Sequence, residues 1–335
     1  MGKYIITIDT GTTNTRAILW DAKRRMVHTE KATVGVRNTA IDGNNSRLKE
    51  AVKNCLDALV LKEGISYDEV QCVIASGMIT SNVGLVEIPH IVVPAGIDDL
   101  ARAITKVSLP DVCPVPIHFI PGIKNSGGNI DWGNFECMDI MRGEEVESCA
   151  IIEHLPKGTS ALLILPGSHT KFISVDEGGR MTGCLTSITG ELLSSITNDT
   201  IIADAVGHQF VEQDTYDKEM VLLGYDTAKK TGLGRTCFSG RILSQFVTKD
   251  HTKVANFIFG AALQNDVTAI KNSSALHISS DTHVAVAGKN PFRQAILDIL
   301  RHEGSFAAVS EYISDGDLPL SALGAYLIAE RRNIL

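Results

Sequence analysis

From Tyr4 to Ile8 every residue is β-branched or aromatic, a polar stretch follows, and a second apolar run extends from Ala17 to Trp20. "MVHTEKATV" (Met26 to Val34) supplies a third run. Short runs of this kind, separated by turn residues, predict a strand meander. Leu48, Val52, Leu56, Leu59 and Val60 then recur at helical spacing, and the pattern stops at Gly64, as expected of an amphipathic helix ended by glycine. "VQCVIASG" (Val70 to Gly77) reads as a buried strand.

The pattern returns after residue 160. "ALLILPGSHTKFISVDEGGRMTGCLTSITG" is again strand, Gly-containing polar turn, strand, Gly-Gly hairpin and strand. Residues Glu191 to Lys271 read as mostly helical, "HVAVAG" (His283 to Gly288) as a later buried strand, and "PFRQAILDILRHEG" as the helix after it. Two halves that each begin with a meander and continue through helices and buried strands predict an α/β protein of two domains, each a mixed sheet flanked by helices, with the ligand site in the cleft between them. The expected division is 1–155 and 156–335, with a last helix at about 318–332 closing the region between the domains.

Composition narrows the function classes. The 335 residues, 44% of them hydrophobic, can bury two cores, and a net charge of −8 without Lys/Arg runs argues against nucleic-acid and anionic-membrane partners. The seven cysteines form no C-x-x-C pair and the ten histidines no H-E-x-x-H, which argues against zinc. No signal-peptide pattern and no apolar run of about 18 residues is found, so a cytoplasmic protein with reduced thiols is expected. Small-molecule partners are expected, and a homodimer is left open.

Chemistry concentrates in the polar turns. In "YIITIDTGTTNTRAILWD", Gly11 lets the backbone approach a ligand, Thr12, Thr13 and Asn14 offer donors for anionic oxygens, and Asp9 could hold a hydrated Mg²⁺. Local turn geometry alone accounts for the same residue types. The second turn, "LPGSHTK", repeats the ingredients with Gly167, Ser168, His169, Thr170 and Lys171. Paired hairpins of this kind can close on a triphosphate. Neither matches G-x-x-x-x-G-K-[ST], and no G-x-G-x-x-G follows the first strand, so Walker and Rossmann sites are both excluded.

"IDTGTTNTRAILWD" resembles the first phosphate motif of the actin-like sugar kinase superfamily, which includes glycerol kinase, hexokinase and the acetate kinases. "SGMITSNVGLVEIPHIVVPAG", "MRGEE", "LPGSHTKFISV" and "ITGEL", in that order, resemble the 2-dehydro-3-deoxygalactonokinase family. "VAVAG" and, near the C-terminus, "LSALGAYLIAE" are similar to the superfamily's adenosine loop and closing helix. The resemblance implies two actin-like (ribonuclease H-like) domains and an ATP- and Mg²⁺-dependent phosphoryl transfer to the C6 hydroxyl of a 2-dehydro-3-deoxy sugar acid, as in galactonate catabolism. Kinases for another sugar, sugar acid or polyol remain an alternative, as does an actin-like ATP-binding scaffold or sensor. A fused DNA-binding segment is not expected ahead of a strand that starts at Tyr4.

The same resemblance proposes roles. Relatives carry the catalytic base in a G-D dipeptide opening a helix; here Gly143-Glu144 stands 23 residues before Gly167. Glu144 is the first candidate, Asp139 and Glu145 are alternatives, and a solvated helix N-terminus, where acids are favoured, is the competing reading of lesser weight. Arg16 matches the superfamily's "TTxxR" arginine, expected to act with Glu144. Gly77, Met78, Thr80, Ser81 and Lys124 are candidates for the sugar acid, and Gly288 for adenosine. Asn82 and Leu85 stand where the family pattern has an arginine and a tryptophan, and His90 replaces a tyrosine. If that arginine pairs with the carboxylate, Lys124 or Arg142 must take over. The sugar acid's identity is therefore less constrained than the reaction.

Overall fold

In the computed structural model, which describes residues 3–314 and 318–334, the opening meander is β1 (Tyr4–Thr10), β2 (Thr15–Asp21) and β3 (Met26–Ala32), paired antiparallel. The register sets Asp9 opposite Arg16, which turns both side chains to one face. After α1 (Val36–Asp42) and α2 (Ser46–Glu63), β4 (Val70–Gly77) lies parallel to β1 with Gly77 beside Thr10. The sheet is completed by β6 (Thr105–Val107) and β7 (Ile117–Phe119), in the order β3-β2-β1-β4-β7-β6.

The second half repeats the plan. β10 (Ala161–Leu165), β11 (Thr170–Val175) and β12 (Met181–Ser187) form the meander, and β13 (His283–Val286) and β14 (Ala308–Glu311) add in parallel, giving β12-β11-β10-β13-β14. Four helices intervene: α5 (Thr189–Asp199), α6 (Lys218–Thr231), α7 (Leu233–Phe246) and α8 (His251–Asn272). Helix α9 (Phe292–Glu303) follows β13, and α10 (Leu320–Arg331) ends the chain's helices. Two sheets with this matching strand order are the actin-like arrangement that the motifs imply.

Packing explains the order of layers. Leu48, Val52, Leu56 and Leu59 of α2 cover Ile6, Ile8 and Leu19 on one face of the first sheet. Leu193 of α5, Phe257 and Ile258 of α8 and Leu297 of α9 cover Leu162, Ile164 and Phe172 on one face of the second. The remaining faces meet in a shared core: Ile5, Ile18 and Ile74 of the first sheet join Leu163, Ile173 and Val175 of the second through Val146 and Ile328. These last two belong to α4 (Glu144–Ile152) and α10, which lie against each other, and α10 also lies on β1 and β4. The C-terminal helix therefore packs on the first half of the chain.

One element escapes the sequence pattern. β5 (Ile91–Val92), β8 (Ile123–Lys124) and β9 (Ile140–Met141) make a small third sheet. Strands of two residues carry no periodicity. The third strand of the opening meander also stops at Ala32 rather than Val34. The remaining short helix, α3 (Ile97–Ala103), lies against α10.

Gly324 sets how closely α10 and α4 approach, because a Cβ there would lie 1.8 Å from the Val146 carbonyl oxygen. Gly324→Ala should lower the unfolding free energy by roughly 1–3 kcal/mol, the usual cost of overpacking. Urea unfolding checks this; an unchanged midpoint would show that the helices can separate freely.

Candidate active site

Both polar turns sit at the carboxyl ends of their sheets' central strands, where α/β folds bind ligands. In the first, Gly11 is half-buried and Thr12, Thr13 and Asn14 are exposed. Helix α1 docks on it: the Val36 and Arg37 N–H groups donate to the carbonyls of Gly11 (3.2 Å) and Thr12 (2.9 Å). A Cβ on Gly35 would lie 2.5 Å from the Gly11 oxygen, so only glycine permits the approach. With those carbonyls occupied, the free groups are donors. Among the described residues the Thr12 and Thr13 N–H groups have no protein acceptor. A cleft of about 840 Å³ opens beside the hairpin, lined by Asp9, Gly11, Thr13, Asn14, Arg16 and Lys31 among others.

The second turn is built alike. The Glu191 N–H of α5 donates to the Ser168 carbonyl (3.3 Å), and a Cβ on Gly190 would lie 2.5 Å from the Gly167 oxygen. Ser168 and His169 are exposed, and His169 pairs with Glu191 at 2.8 Å. Thr170 is buried and its hydroxyl has no protein partner, so only its backbone faces the turn. Gly288 follows β13 and packs against Pro166, the residue before Gly167. The Arg293 guanidinium holds the Gly288 carbonyl at 3.0 Å.

Between the turns, β4 meets the start of α4. Gly77 (φ +84°) and Gly143 (φ +123°) occupy backbone conformations that disfavour side chains, and a Cβ on Gly143 would lie 3.4 Å from the Gly77 Cα. A Cβ on Gly77 would in turn lie 2.9 Å from Asp9 Oδ1. Asp9, Gly77, Gly143 and Glu144 are thus one contiguous surface. The Ser321 hydroxyl of α10 donates to Asp9 Oδ2 at 3.0 Å. Removal from water pushes the Asp9 pKa up, with the Ser321 bond and the Arg16 charge opposing the rise and Glu144 adding to it. Arg16 also lies near Glu147, and its buried Nε has no protein acceptor. Asp9 offers the hard oxygen that Mg²⁺ prefers. Among the described residues no three His, Cys, Asp or Glu side chains form a ready-made metal cage.

The three candidate acids face different surroundings. Glu144 is half-buried, and among the described residues its carboxylate accepts only the Arg142 N–H, at 3.1 Å through Oε2. Glu145 is fully buried, accepts the Gly143 N–H at 2.7 Å, and has its other oxygen unpartnered. Burial, then the charge of Glu144, raises its pKa to about 8. Asp139 spends both oxygens on Thr186, accepting the backbone N–H at 2.6 Å and the hydroxyl at 2.9 Å. Glu147, which the motifs do not single out, is raised to about 8 by burial and by Asp9, Glu144 and Glu145.

The loop after Gly77 is held from within. Thr80 donates to the Gly77 carbonyl (3.0 Å) and Ser81 to the Met78 carbonyl (2.7 Å). Met78 is half-buried, and Thr80 and Ser81 are buried. Arg142 pins this loop through the Thr80 carbonyl (2.6 Å) and the Ile88 carbonyl (3.2 Å), and its Nη2 stands 3.1 Å from His90 Nε2. Burial, then Arg142 and Lys124, lower the His90 pKa to about 4, so this ring is neutral at pH 7. Lys124 is half-buried, and among the described residues its ammonium has no hydrogen-bonded or ion-paired partner. Lys171 is turned away from the exposed turn into the joint between the halves, where it donates to the Ile140 carbonyl at 2.6 Å.

Glu145 makes stability depend on pH. A carboxyl whose folded pKa lies near 8 binds a proton that the unfolded chain, titrating near an ordinary pKa of about 4.3, has released. Unfolding free energy should therefore fall as pH rises from about 5 to about 8. Glu145→Gln should make that slope shallower in urea titrations at several pH values; an unaltered slope would show that Glu145 does not carry the proton.

Comparisons with known proteins give the family. A model of the 2-keto-3-deoxy-galactonokinase family matches residues 9–314. A Rhizobium meliloti protein named "Probable 2-dehydro-3-deoxygalactonokinase" is 29% identical over 213 residues, 64% of this chain and 61% of the relative. A 2-dehydro-3-deoxygalactonokinase of Escherichia coli is 27% identical over 213 residues, 63% of this chain and 62% of the relative. In both, the aligned stretch spans less than two thirds of the relative's own length. A crystal structure from Sinorhizobium meliloti, of a protein described as a 2-dehydro-3-deoxygalactonokinase, shares the fold at a TM-score of 0.77 and 21% identity, covering 99% of this chain and all of that one. With a family model matching all but the ends, the chain belongs to the 2-keto-3-deoxy-galactonokinase family.

Proposed function

We propose that this protein is an ATP-dependent kinase that phosphorylates the C6 hydroxyl of 2-dehydro-3-deoxy-D-galactonate. The observation that carries this reading is the contact of Gly77 with Gly143, which brings the sugar-acid loop, the Asp9 carboxyl and the helix bearing Glu144 onto one surface. The family membership and the relatives' names support the substrate class. Gly11, Thr12, Thr13 and Asn14 from one hairpin and Gly167, Ser168, His169 and the Thr170 backbone from the other would hold the phosphates, with Gly288 beside the adenosine. Mg²⁺ would be held through Asp9, and when bound it supplies charge neutralisation at the phosphates.

Phosphoryl transfer requires positioning, charge stabilisation and acceptance of the hydroxyl proton. Glu144 suits the last role because one carboxylate oxygen is free, whereas Asp139 has both engaged and Glu145 is sealed from the cleft. Arg16 faces Asp9 across the strand pair and can meet the transferring phosphate. With Arg142 committed to the loop it pins, Lys124 is the cation left for the sugar-acid carboxylate. The lobe division near residue 155, cytoplasmic residence and homodimer formation belong to the same proposal.

A coupled ADP-release assay should give turnover with 2-dehydro-3-deoxy-galactonate and little with glycerol or glucose; the reverse order would sink the substrate assignment. Glu144→Gln should lower kcat by roughly 10²- to 10⁴-fold, as removal of a general base does. Asp139→Asn should not abolish proton acceptance; if it alone were inactive, the base would have to be reassigned. Lys124→Met should raise the sugar-acid KM by roughly 10-fold or more while kcat changes little, the mark of a contact made equally in ground and transition states. An unchanged KM would remove Lys124 from the site.

A further inference from the structure

The joint between the two halves contains a charged cluster built around a buried lysine. Lys171, the first residue after the exposed part of the second hairpin to face the joint, is 7% exposed. Its ammonium donates to the Ile140 carbonyl at 2.6 Å and to the Thr186 hydroxyl, and lies 3.9 Å from Asp139 Oδ1. The same Thr186 hydroxyl donates to Asp139 Oδ1 at 2.9 Å, and the Thr186 N–H donates to Asp139 Oδ2 at 2.6 Å. Lys171 and Thr186 face each other across β11 and β12. Asp139 and Ile140 belong to the first half of the chain and lead through Arg142 and Gly143 directly into Glu144. A companion contact lies two residues back on β12: the Asn125 amide exchanges hydrogen bonds with Cys184, 2.7 Å to its carbonyl and 2.8 Å from its N–H.

We infer that Lys171, Asp139 and Thr186 form a latch that fixes the second phosphate hairpin relative to the strand that leads into the helix bearing Glu144. Lys171 is then a positioning residue rather than a phosphate ligand. Ile140 stands four positions before Glu144, and Lys171 three positions after Ser168. A shift of the latch is therefore passed over short, packed backbone to the acceptor side and to the donor side together. The inference rests on the kinase reading for its functional consequence, while the coupling of the three residues does not.

The test uses Lys171→Met, Thr186→Val and the double variant in the full-length protein. Kinetics come from the ADP-release assay, affinity for the β,γ-imido analogue of ATP from calorimetry without sugar acid, and coupling from urea midpoints. If the latch positions, each single variant should lose roughly 10- to 100-fold in kcat, the cost of misplaced reacting groups. Analogue affinity should change by less than about 3-fold, since no ligand contact is removed. The double variant should be no worse than the more damaged single one, as expected of residues in one network. A loss of about 10-fold or more in analogue affinity confined to Lys171→Met would overturn the inference and return Lys171 to the phosphates. So would additive kcat losses or additive midpoint shifts. Should Lys171→Met fail to fold, Thr186→Val against Asp139→Asn runs the same cycle without removing a buried cation. If the unaltered protein turns over no sugar acid, the kinase reading fails, and the urea cycle alone decides whether the latch exists.

Discussion

The edge of the second sheet is the constraint on which the rest of the structure depends. β12 is that edge, and an unpaired edge strand leaves a row of N–H and C=O groups without partners. The first half of the chain satisfies them in sequence: Met181 bridges Ala95, Cys184 exchanges bonds with the Asn125 amide, and Thr186 donates to Asp139. These three contacts draw residues 95, 125 and 139 along one line. They seat the small third sheet between the lobes, and with it Lys124 and the strand that leads to Glu144. The shared apolar core behind this line then excludes water from the joint, where hydrogen bonds gain strength from the low dielectric.

The two hairpins show one solution used twice. In each, the N-terminal turn of the following helix occupies the hairpin's carbonyl oxygens, and a glycine on the helix permits contact at backbone distance. A turn whose acceptors are consumed presents donors, and backbone donors in a concave turn favour anions. Gly35 and Gly190 are therefore as much part of the cradle as Gly11 and Gly167. The motif "ITGEL" contains Gly190, and its physical reason becomes visible only when α5 is seen resting on Ser168.

What was legible in the sequence was local. The central strands of both meanders stand out because strands covered on both faces are continuous apolar runs, and α2 because its apolar stripe ends at Gly64, where the chain turns left-handed. The hairpins could be read because their residues are adjacent in the chain. What joins distant segments could not be. Ser321 meets Asp9 across 312 residues, and Asp139 meets Thr186 across 47. Asp139, Glu144 and Glu145 look equivalent in a row of acids, yet one is bonded to the opposite lobe, one is half-buried and one is sealed in the core. Lys171 looked like a phosphate ligand because the turn it follows has that composition; strand alternation instead points its side chain into the joint.

A lysine in that joint has a cost that an apolar pair would avoid, since a buried ammonium and a half-buried carboxylate must recover their lost hydration through each other and through hydrogen bonds. Here the recovery is nearly complete: the ammonium has a carbonyl, a hydroxyl and a carboxylate around it, and the carboxylate has three further donors. Apolar side chains at these positions could slide by an ångström with little loss, because burial is not directional. Hydrogen bonds of 2.6 to 2.9 Å weaken steeply when misaligned. The joint thus trades some stability for a fixed register between the two halves of the fold. The contrast is Lys124 on β8 of the small sheet, which among the described residues has no such partners.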